Sequence, residues 1–342
     1  MALPCLHLVA RVFPNAQRFM LTNKPVHSKA PRAQDVIEGS GLVTGYIEFD
    51  LAATRRSWRS KLDLARRLRQ WNPQVLVYLS AQKSLARVLT EVAFFRLCGI
   101  RRIIGVPWRR SLRQYRWCPE HNRYEQEADR LARCIAALGD ANPRELANWS
   151  LHLSNQEKEQ AERWIDNWPG RGRFIAVGAG TKVEVNDWGL DNWYKLITLL
   201  GKKYASWGLL LVGANEEFER SEKISRQWAG PRLNLCGRVT PRHCAALLES
   251  ATLFLGHDSG PTHLAARGGV SSVAIFSARN LPGAWFPYGR DHEVIYHQTA
   301  CYNCSLETCK RFNKQCITSI TVEEVGEAVD RAVARLRIGG SA

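Results

Sequence analysis

Six residues in succession, Asp258, Ser259, Gly260, Pro261, Thr262 and His263, follow the apolar run ATLFL (251–255) after Gly256 and His257 and precede small apolar residues at helical spacing. A strand that ends in such a turn and re-enters as a helix leaves its first helical N–H groups without partners. Pro261 suits a first helical position, where its missing N–H costs nothing. The amides of Ser259, Gly260 and Thr262 would then face outward, and the helix dipole adds partial positive charge, which together make a phosphate seat. Gly260 lets a diphosphate come close to the backbone, Ser259 and Thr262 offer hydroxyls, and Asp258 and His263 can orient sugar hydroxyls or a diphosphate oxygen. The plain alternative is a capped helix with no ligand, in which Ser259 or Asp258 is the N-cap and His263 a satisfied, partly buried imidazole. Six consecutive polar or conformationally special residues favour the anion seat.

Two further loops belong to the same pattern. GAGTKVEVNDWG (178–189) is a glycine-rich turn behind an apolar run and carries Thr181 and Lys182, a cation placed to neutralise a diphosphate. GANEEFERSEK (213–223) brings several carboxylates to a helix start, where they complement the dipole or, as Glu219 can, hold a ribose diol. Of the ten cysteines, four are grouped as Cys301-x2-Cys304-x4-Cys309-x6-Cys316. The first interval is that of a zinc site and the others are irregular, so a structural Zn or an Fe–S cluster stands beside four ordinary thiols or a disulfide pair. No catalytic use is expected of them.

Elements that can hold these loops recur along the second half. The runs FIAVG (174–178), GLLLVG (208–213), LNLC (233–236), TLFLG (252–256) and SVAIF (272–276) alternate with helical stretches near 191–204, 216–229, 241–250 and 261–267. Continuous apolar strands alternating with helices predict a parallel sheet covered on both faces, a Rossmann-like domain. The first half reads as the same class, with strands RFMLT (18–22), TGYIEF (44–49), QVLVYL (74–79) and RRIIGV (101–106) and helices at 60–71, 84–98 and 123–138. NWPGRGR (167–173) reads as a hinge. The expected division is 1–166, 173–320, and a C-terminal helix and tail at 321–342, with Thr321 and Glu324 forming a capping box.

The chain has 342 residues, 45% apolar and 23% charged, a globular balance in which no repeat appears. No apolar stretch approaches the roughly 20 residues of a spanning helix, which predicts a cytoplasmic protein. Its formal charge of +16 is uneven: residues 1–171 hold 28 Lys+Arg against 16 Asp+Glu, and the remainder 20 against 16. The excess is interleaved with Trp in RRSWRSK (55–61) and PWRRSLRQYRW (107–117), which suits nucleic acid, an acidic membrane leaflet or a phosphorylated glycolipid. No RRM, KH or helix-turn-helix signature is evident, and a nucleic-acid-binding protein leaves the seat at 256–263 unexplained. No nucleic acid partner is expected.

LFLGHDSGPTHLAARGGVSSVAIF (253–276) resembles the signature of glycosyltransferase family 9, the lipopolysaccharide heptosyltransferase family, supported by GTKVEVNDWGLDNWYKL (180–196), NLCGRVTPRHCAALLESA (234–251) and WFPYGRDHEVI (285–295). The resemblance implies a GT-B fold, two Rossmann-like doubly wound domains facing a cleft. It implies an ADP-heptose or related nucleotide-sugar donor on the C-terminal domain and a glycolipid acceptor on the N-terminal one. It further implies inverting transfer with no metal cofactor, at the cytoplasmic face of the bacterial inner membrane. By the same resemblance Ser259, Gly260 and Thr262 bind the diphosphate, Asp258 and His263 lie near donor sugar or phosphate, Glu219 holds the ribose, and Thr181 and Lys182 meet the leaving diphosphate. Asn186 stands where many members have Lys, and Thr262 where they have Met.

Family members open with a strand and a Gly-Asp loop that supplies the base, whereas this chain begins at the segment that follows. The expectation is an incomplete N-terminus or an inactive, donor-binding relative. Asp35, Asp50 and Asp63 are candidate bases by residue type alone, and no Asp-x-Asp motif for a diphosphate-bound cation occurs.

Overall fold

The structure is a computed structural model and describes residues 1–25 and 30–339. The chain divides into two compact units, 1–152 and 153–342. The expected boundary at 166 therefore moves. In the first unit the elements run α1 (Leu3–Val12), β1 (Phe19–Asn23), α2 (Ala33–Ile37), β2 (Gly45–Phe49), α3 (Leu51–Arg56), α4 (Trp58–Trp71), β3 (Val75–Val77), α5 (Leu85–Leu97), β4 (Arg102–Ile104), α6 (Arg110–Arg113), a short ribbon β5 (Trp117–Cys118) and β6 (Arg123–Tyr124), and α7 (Glu127–Cys134). β1 pairs with β2 and β3 with β4, both in parallel, and among the described residues no ladder joins the two pairs. One apolar cluster nevertheless spans them: Leu21 and Ile47 from one pair, Leu76 and Ile103 from the other, closed by Leu64 and Leu68 of α4 and Phe95 of α5. The βα alternation is as expected, while the single continuous sheet is not.

The second unit opens with α8 (Asn155–Ile165), which sequence reading did not anticipate although Ser154 and Glu157 build a capping box. Arg242 of α11 (Pro241–Glu249) reaches Glu157 at 2.5 Å, and this ion pair brings the Glu157 carboxyl down to about 2. That tie and the packing of α8 on α11 put residues 153–166 in the second unit, so NWPGRGR lies inside it. There Trp168 is buried edge-on against Phe174 and the chain turns closely past Gly208.

The remaining elements are β7 (Phe174–Gly178), α9 (Leu190–Lys203), β8 (Gly208–Leu211), α10 (Phe218–Ser225), β9 (Arg232–Asn234), α11, β10 (Leu253–His257), α12 (Gly260–Arg267), β11 (Ser272–Phe276), β12 (His292–Tyr296), α13 (Gln315–Thr318) and α14 (Val322–Gly339). The six strands form one parallel sheet in the order β12-β11-β10-β7-β8-β9. Side chains alternate between two cores: Ile175, Val177, Leu209, Leu211 and Leu255 pack with α9 and α14, and Phe174, Ala176, Leu210 and Phe254 with α8, α11 and α12. Burial on both faces explains why these strands read as unbroken apolar runs. β12 was not expected. It is a half-buried edge strand, and its Glu293 pairs with Arg331 and Arg335 of α14. The capping box at Thr321 and Glu324 forms.

Candidate functional site

From β7 the chain moves outward to β8 and β9, then returns to lay β10 on the other side of β7 and continues to β11 and β12. The strand order thus reverses between β7 and β10, and ligands of open α/β sheets bind beyond the carboxyl ends of the strands at such a point. Gly178 and Gly256, cross-strand partners there, are the floor of the site. A Cβ on Gly256 would stand 3.1 Å from Thr262 Oγ1, and one on Gly178 would touch Pro261 at 3.6 Å. The two glycines let the first turn of α12 settle directly on the sheet.

Asp258, Ser259, Gly260, Thr262 and His263 are therefore brought together in a single turn. Ser259 is the N-cap, extended at φ −148° and ψ 166°, yet its side chain makes no capping bond and remains at the mouth of the helix. Space over Gly260 is open, with nothing within 4 Å of where a Cβ would be. Asp258 accepts from Asn280 Nδ2 at 3.3 Å, and its other oxygen lies 3.8 Å from His263 Nε2. Thr262 departs from expectation: its hydroxyl is fully buried and donates to the His257 carbonyl at 2.5 Å, so only its amide is left for a ligand.

His257, which sequence reading passed over, holds the loops in place. Its Nε2 accepts from the backbone N–H of Trp188 at 3.3 Å and from the Trp193 indole at 3.2 Å. Two donors on Nε2 leave the proton on Nδ1, which donates to the Gly180 carbonyl at 3.4 Å. Burial pulls this imidazole down to about 4, and Trp193 stacks edge-on against it at 5.2 Å. A neutral, fully engaged histidine is a scaffold.

The 178–189 loop is fastened beside the turn. Asn186, buried, donates to the Asp258 carbonyl at 3.5 Å and accepts from Ser277 Oγ at 2.6 Å, so the residue standing where family members carry Lys has a positioning role. Asp187 takes both guanidinium nitrogens of Arg220, at 2.7 and 2.6 Å, and the Gly189 N–H at 3.0 Å. Burial opposes ionisation of Asp187, but Arg220 outweighs it and the carboxyl falls to about 2. Thr181 is engaged in its own turn with Val183, which places its hydroxyl in the loop's internal bonding. Lys182 is exposed on that turn. Glu217 packs against both glycine loops: a Cβ on Gly180 or on Gly213 would collide with it at 1.9 and 2.3 Å respectively, and it accepts the Ala214 N–H at 3.0 Å. Glu219 is exposed two residues further on, in the first turn of α10. The signal for Glu217 was its position four residues behind Gly213, with a second glycine on the facing loop.

The structure does not draw Cys301, Cys304, Cys309 and Cys316 into one group. All four are free thiols, and among the described residues no three His, Cys, Asp or Glu side chains gather as metal ligands. Cys309 instead accepts backbone N–H groups of Lys314, Phe312 and Arg311, which lower its thiol pKa, while burial raises that of Cys316. Their segment braces the site: Glu307 accepts the Val185 N–H at 3.0 Å, and Lys314 reaches the Asp187 carbonyl at 3.2 Å and Glu184 at 3.0 Å. The three candidate bases lie in the first unit. Asp35 is paired with Arg32 at 2.8 Å, Asp50 caps α3 by accepting from Ala53 N at 2.8 Å, and Asp63 shares a cavity with Asp50 and Glu48.

A family model described as glycosyltransferase family 9 (heptosyltransferase) matches residues 42–314. The chain belongs to glycosyltransferase family 9. It is 24% identical over 153 residues to the lipopolysaccharide core heptosyltransferase OpsX of Haemophilus influenzae, a match covering 45% of this chain and 43% of that protein. The chain spans less than half the length of the curated relatives it matches. Among solved structures it is similar to a family 9 glycosyltransferase from Veillonella parvula, with TM-score 0.70 and 14% identity, covering 98% of this chain and 93% of that one. It is also similar to the ADP-heptose LPS heptosyltransferase II of E. coli, with TM-score 0.61 and 18% identity, covering 98% and 94%. At such identities the likeness shows the fold, and the fold is of GT-B type.

Proposed function

We propose that the chain is an inverting glycosyltransferase that moves heptose from ADP-heptose onto a lipopolysaccharide-core or related glycolipid acceptor, with no metal cofactor in the transfer step. The observation that carries this reading is the turn 258–263 seated at the reversal point of the sheet, with its N-cap hydroxyl making no capping bond, only a long contact of 3.5 Å to the Thr262 hydroxyl, and the space above Gly260 open. Family membership and the names of the relatives support heptose as the sugar and ADP as the nucleotide in this reading.

In this reading the Ser259 hydroxyl and the first amides of α12 take the diphosphate, and exposed Lys182 adds the charge that a divalent cation would otherwise bring. As the bond from sugar to diphosphate breaks, negative charge grows on the phosphate oxygens, and donors already pointed there stabilise the transition state without reorganising. Asp258, held by Asn280 and close to His263, faces the sugar. Glu217 takes the ribose role that the sequence suggested for Glu219. The acceptor hydroxyl gives up its proton to a base on the opposite face of the sugar.

The protein would work at the inner face of the bacterial inner membrane as a peripheral protein. Among the described residues no helix is long and apolar enough to cross a membrane. α4 supports surface attachment instead: Trp58 and Leu62 are exposed, 66% and 45%, one helical turn apart among Arg59, Lys61, Arg66 and Arg69. The test is transfer itself. Incubation with ADP-heptose and a heptose-free core lipopolysaccharide should give a product heavier by one heptose, with inverted anomeric configuration by NMR and without added metal. Release of ADP with retention of configuration, or no product with any nucleotide-sugar, would refute the proposal.

A further inference from the structure

Three side chains that the sugar transfer does not use, His297, Ser319 and Glu324, meet in the second unit. His297 follows β12, so it lies at the carboxyl end of the sheet's edge strand, where α/β sheets carry functional groups; Ser319 closes α13, and Glu324 is in the first turn of α14. The imidazole bridges the other two. Its Nδ1 is 2.8 Å from Ser319 Oγ and its Nε2 is 2.9 Å from Glu324 Oε1. A carboxylate can only accept, so in the neutral ring Nε2 carries the proton and donates it to Glu324. Nδ1 is then an acceptor, and the Ser319 hydroxyl donates to it. Nucleophile, base and orienting carboxylate thus follow one another in the order that activates a serine for acyl transfer, with the two ring nitrogens exchanged.

Each member is held from outside the group. Ile295, two residues before His297, is buried in the core under α9 and α14, as are Ile317 and Ile320 on either side of Ser319. The Trp188 indole donates to the Ile320 carbonyl at 2.8 Å, and the Ser319 N–H donates to the Gln315 carbonyl at 3.1 Å. Glu324 divides its oxygens: Oε2 accepts the Thr321 N–H at 3.5 Å in the capping box, while Oε1 faces His297. Ser319 is exposed, and the side chains of His297 and Glu324 are 34% and 39% exposed, so an ester can reach the hydroxyl from solvent. The first amides of α14, on Val322 and Glu323, have no acceptor within the helix. They are the free donors nearest along the chain for an oxyanion formed on Ser319.

We propose that Ser319 is a nucleophile that takes the acyl group of a carboxylic ester, an activity independent of sugar transfer. Ser319 Oγ bonds to the carbonyl carbon while its proton passes to His297 Nδ1, and Glu324 stabilises the imidazolium through the Nε2–H. The ester C–O bond then breaks, the departing alcohol takes the proton from Nδ1, and the acyl group stays on Ser319. Water, deprotonated by the same nitrogen, releases it as the carboxylic acid and restores the hydroxyl. A serine with no base beside it lacks this reactivity, because its hydroxyl is a weak nucleophile at its free pKa.

A fluorophosphonate, which forms a stable bond to activated serines, tests the proposal on the full chain, with p-nitrophenyl acetate as the ester. Peptide mapping should place the phosphonyl group on Ser319, and p-nitrophenolate should be released in a burst with acetyl-Ser319 as the intermediate. Ser319→Ala should abolish both, and His297→Gln should slow phosphonylation about a hundredfold. Glu324→Gln can keep the capping box, so it should slow the reaction several-fold at an unchanged melting temperature, and Glu324→Asp should recover part of that loss. The wild-type mapping needs no variant to fold. Absence of an adduct on Ser319 in wild type, an adduct spread evenly over exposed serines, or labelling as fast in His297→Gln as in wild type would overturn the inference.

Discussion

The Trp193 indole donates its N–H to Nε2 of His257 across 3.2 Å, at the core that α9 and α14 cover and beneath the candidate donor loops. Because Trp188 donates to the same nitrogen, protonating His257 would set a proton against two donors. Folded, this imidazole titrates near 4 rather than its usual 6.5. The unfolded chain therefore binds the extra proton between these values. Stability is full above about pH 6.5, declines as pH falls toward 4, and changes no further from this group below that. The loss should be on the order of 3 kcal/mol. Urea denaturation of wild type and His257→Gln at pH 7.5 and pH 4.5 should show a steeper pH dependence in wild type; parallel curves would contradict the assignment.

The Asp187–Arg220 pair also loses its contribution as pH falls, but in a lower window. Asp187 titrates near 2 in the fold against about 3.8 outside it, so its contribution is present above about pH 3.8 and disappears as pH falls through 2. Both side chains are about a quarter exposed, 26%, so Asp187→Asn should cost only about 1–2 kcal/mol at neutral pH. The same variant frees the 178–189 loop from α10 and should weaken ADP binding several-fold. A thermal melt paired with ADP titration checks both; unchanged ADP affinity would mean the loop does not need this anchor.

Ser259 and Thr262 separate ligand chemistry from scaffold chemistry within one turn. Thr262→Val leaves the His257 carbonyl without its buried donor and should destabilise the fold by about 1–2 kcal/mol, with ADP affinity changed little in material that folds. Ser259→Ala should do the reverse, lowering ADP affinity about tenfold at nearly constant melting temperature, because its hydroxyl makes no capping bond. Swapped outcomes would reassign the turn.

Much of this arrangement was legible in the sequence because it depends on local pattern. Phe174–Gly178 and Ser272–Phe276 form the strands that their apolar runs indicate, and Pro261 with Gly256 and Gly178 marks the turn. What stayed hidden depends on contacts between distant segments. His257 reads as one more polar residue until Trp188 and Trp193 are seen to converge on it. Glu217 and Glu219 are indistinguishable until the glycines that receive one of them are placed. The move of residues 153–166 into the second unit rests on Arg242 meeting Glu157, 85 positions away. The spacing of the four cysteines gave a metal reading that no sequence interval could test, since gathering of the thiols is a property of the fold.

The central claim is that the mouth of α12, with Lys182 beside it, binds a nucleoside diphosphate without a divalent cation. Calorimetric titration of ADP into the full chain in the presence of EDTA tests it most directly. The account predicts a single-site isotherm unchanged by added Mg²⁺, weakened about tenfold by Lys182→Ala at an unaltered melting temperature, as expected for one exposed charge-assisted contact. No heat of ADP binding, binding that appears only with Mg²⁺, or full affinity in Lys182→Ala combined with Ser259→Ala would contradict it.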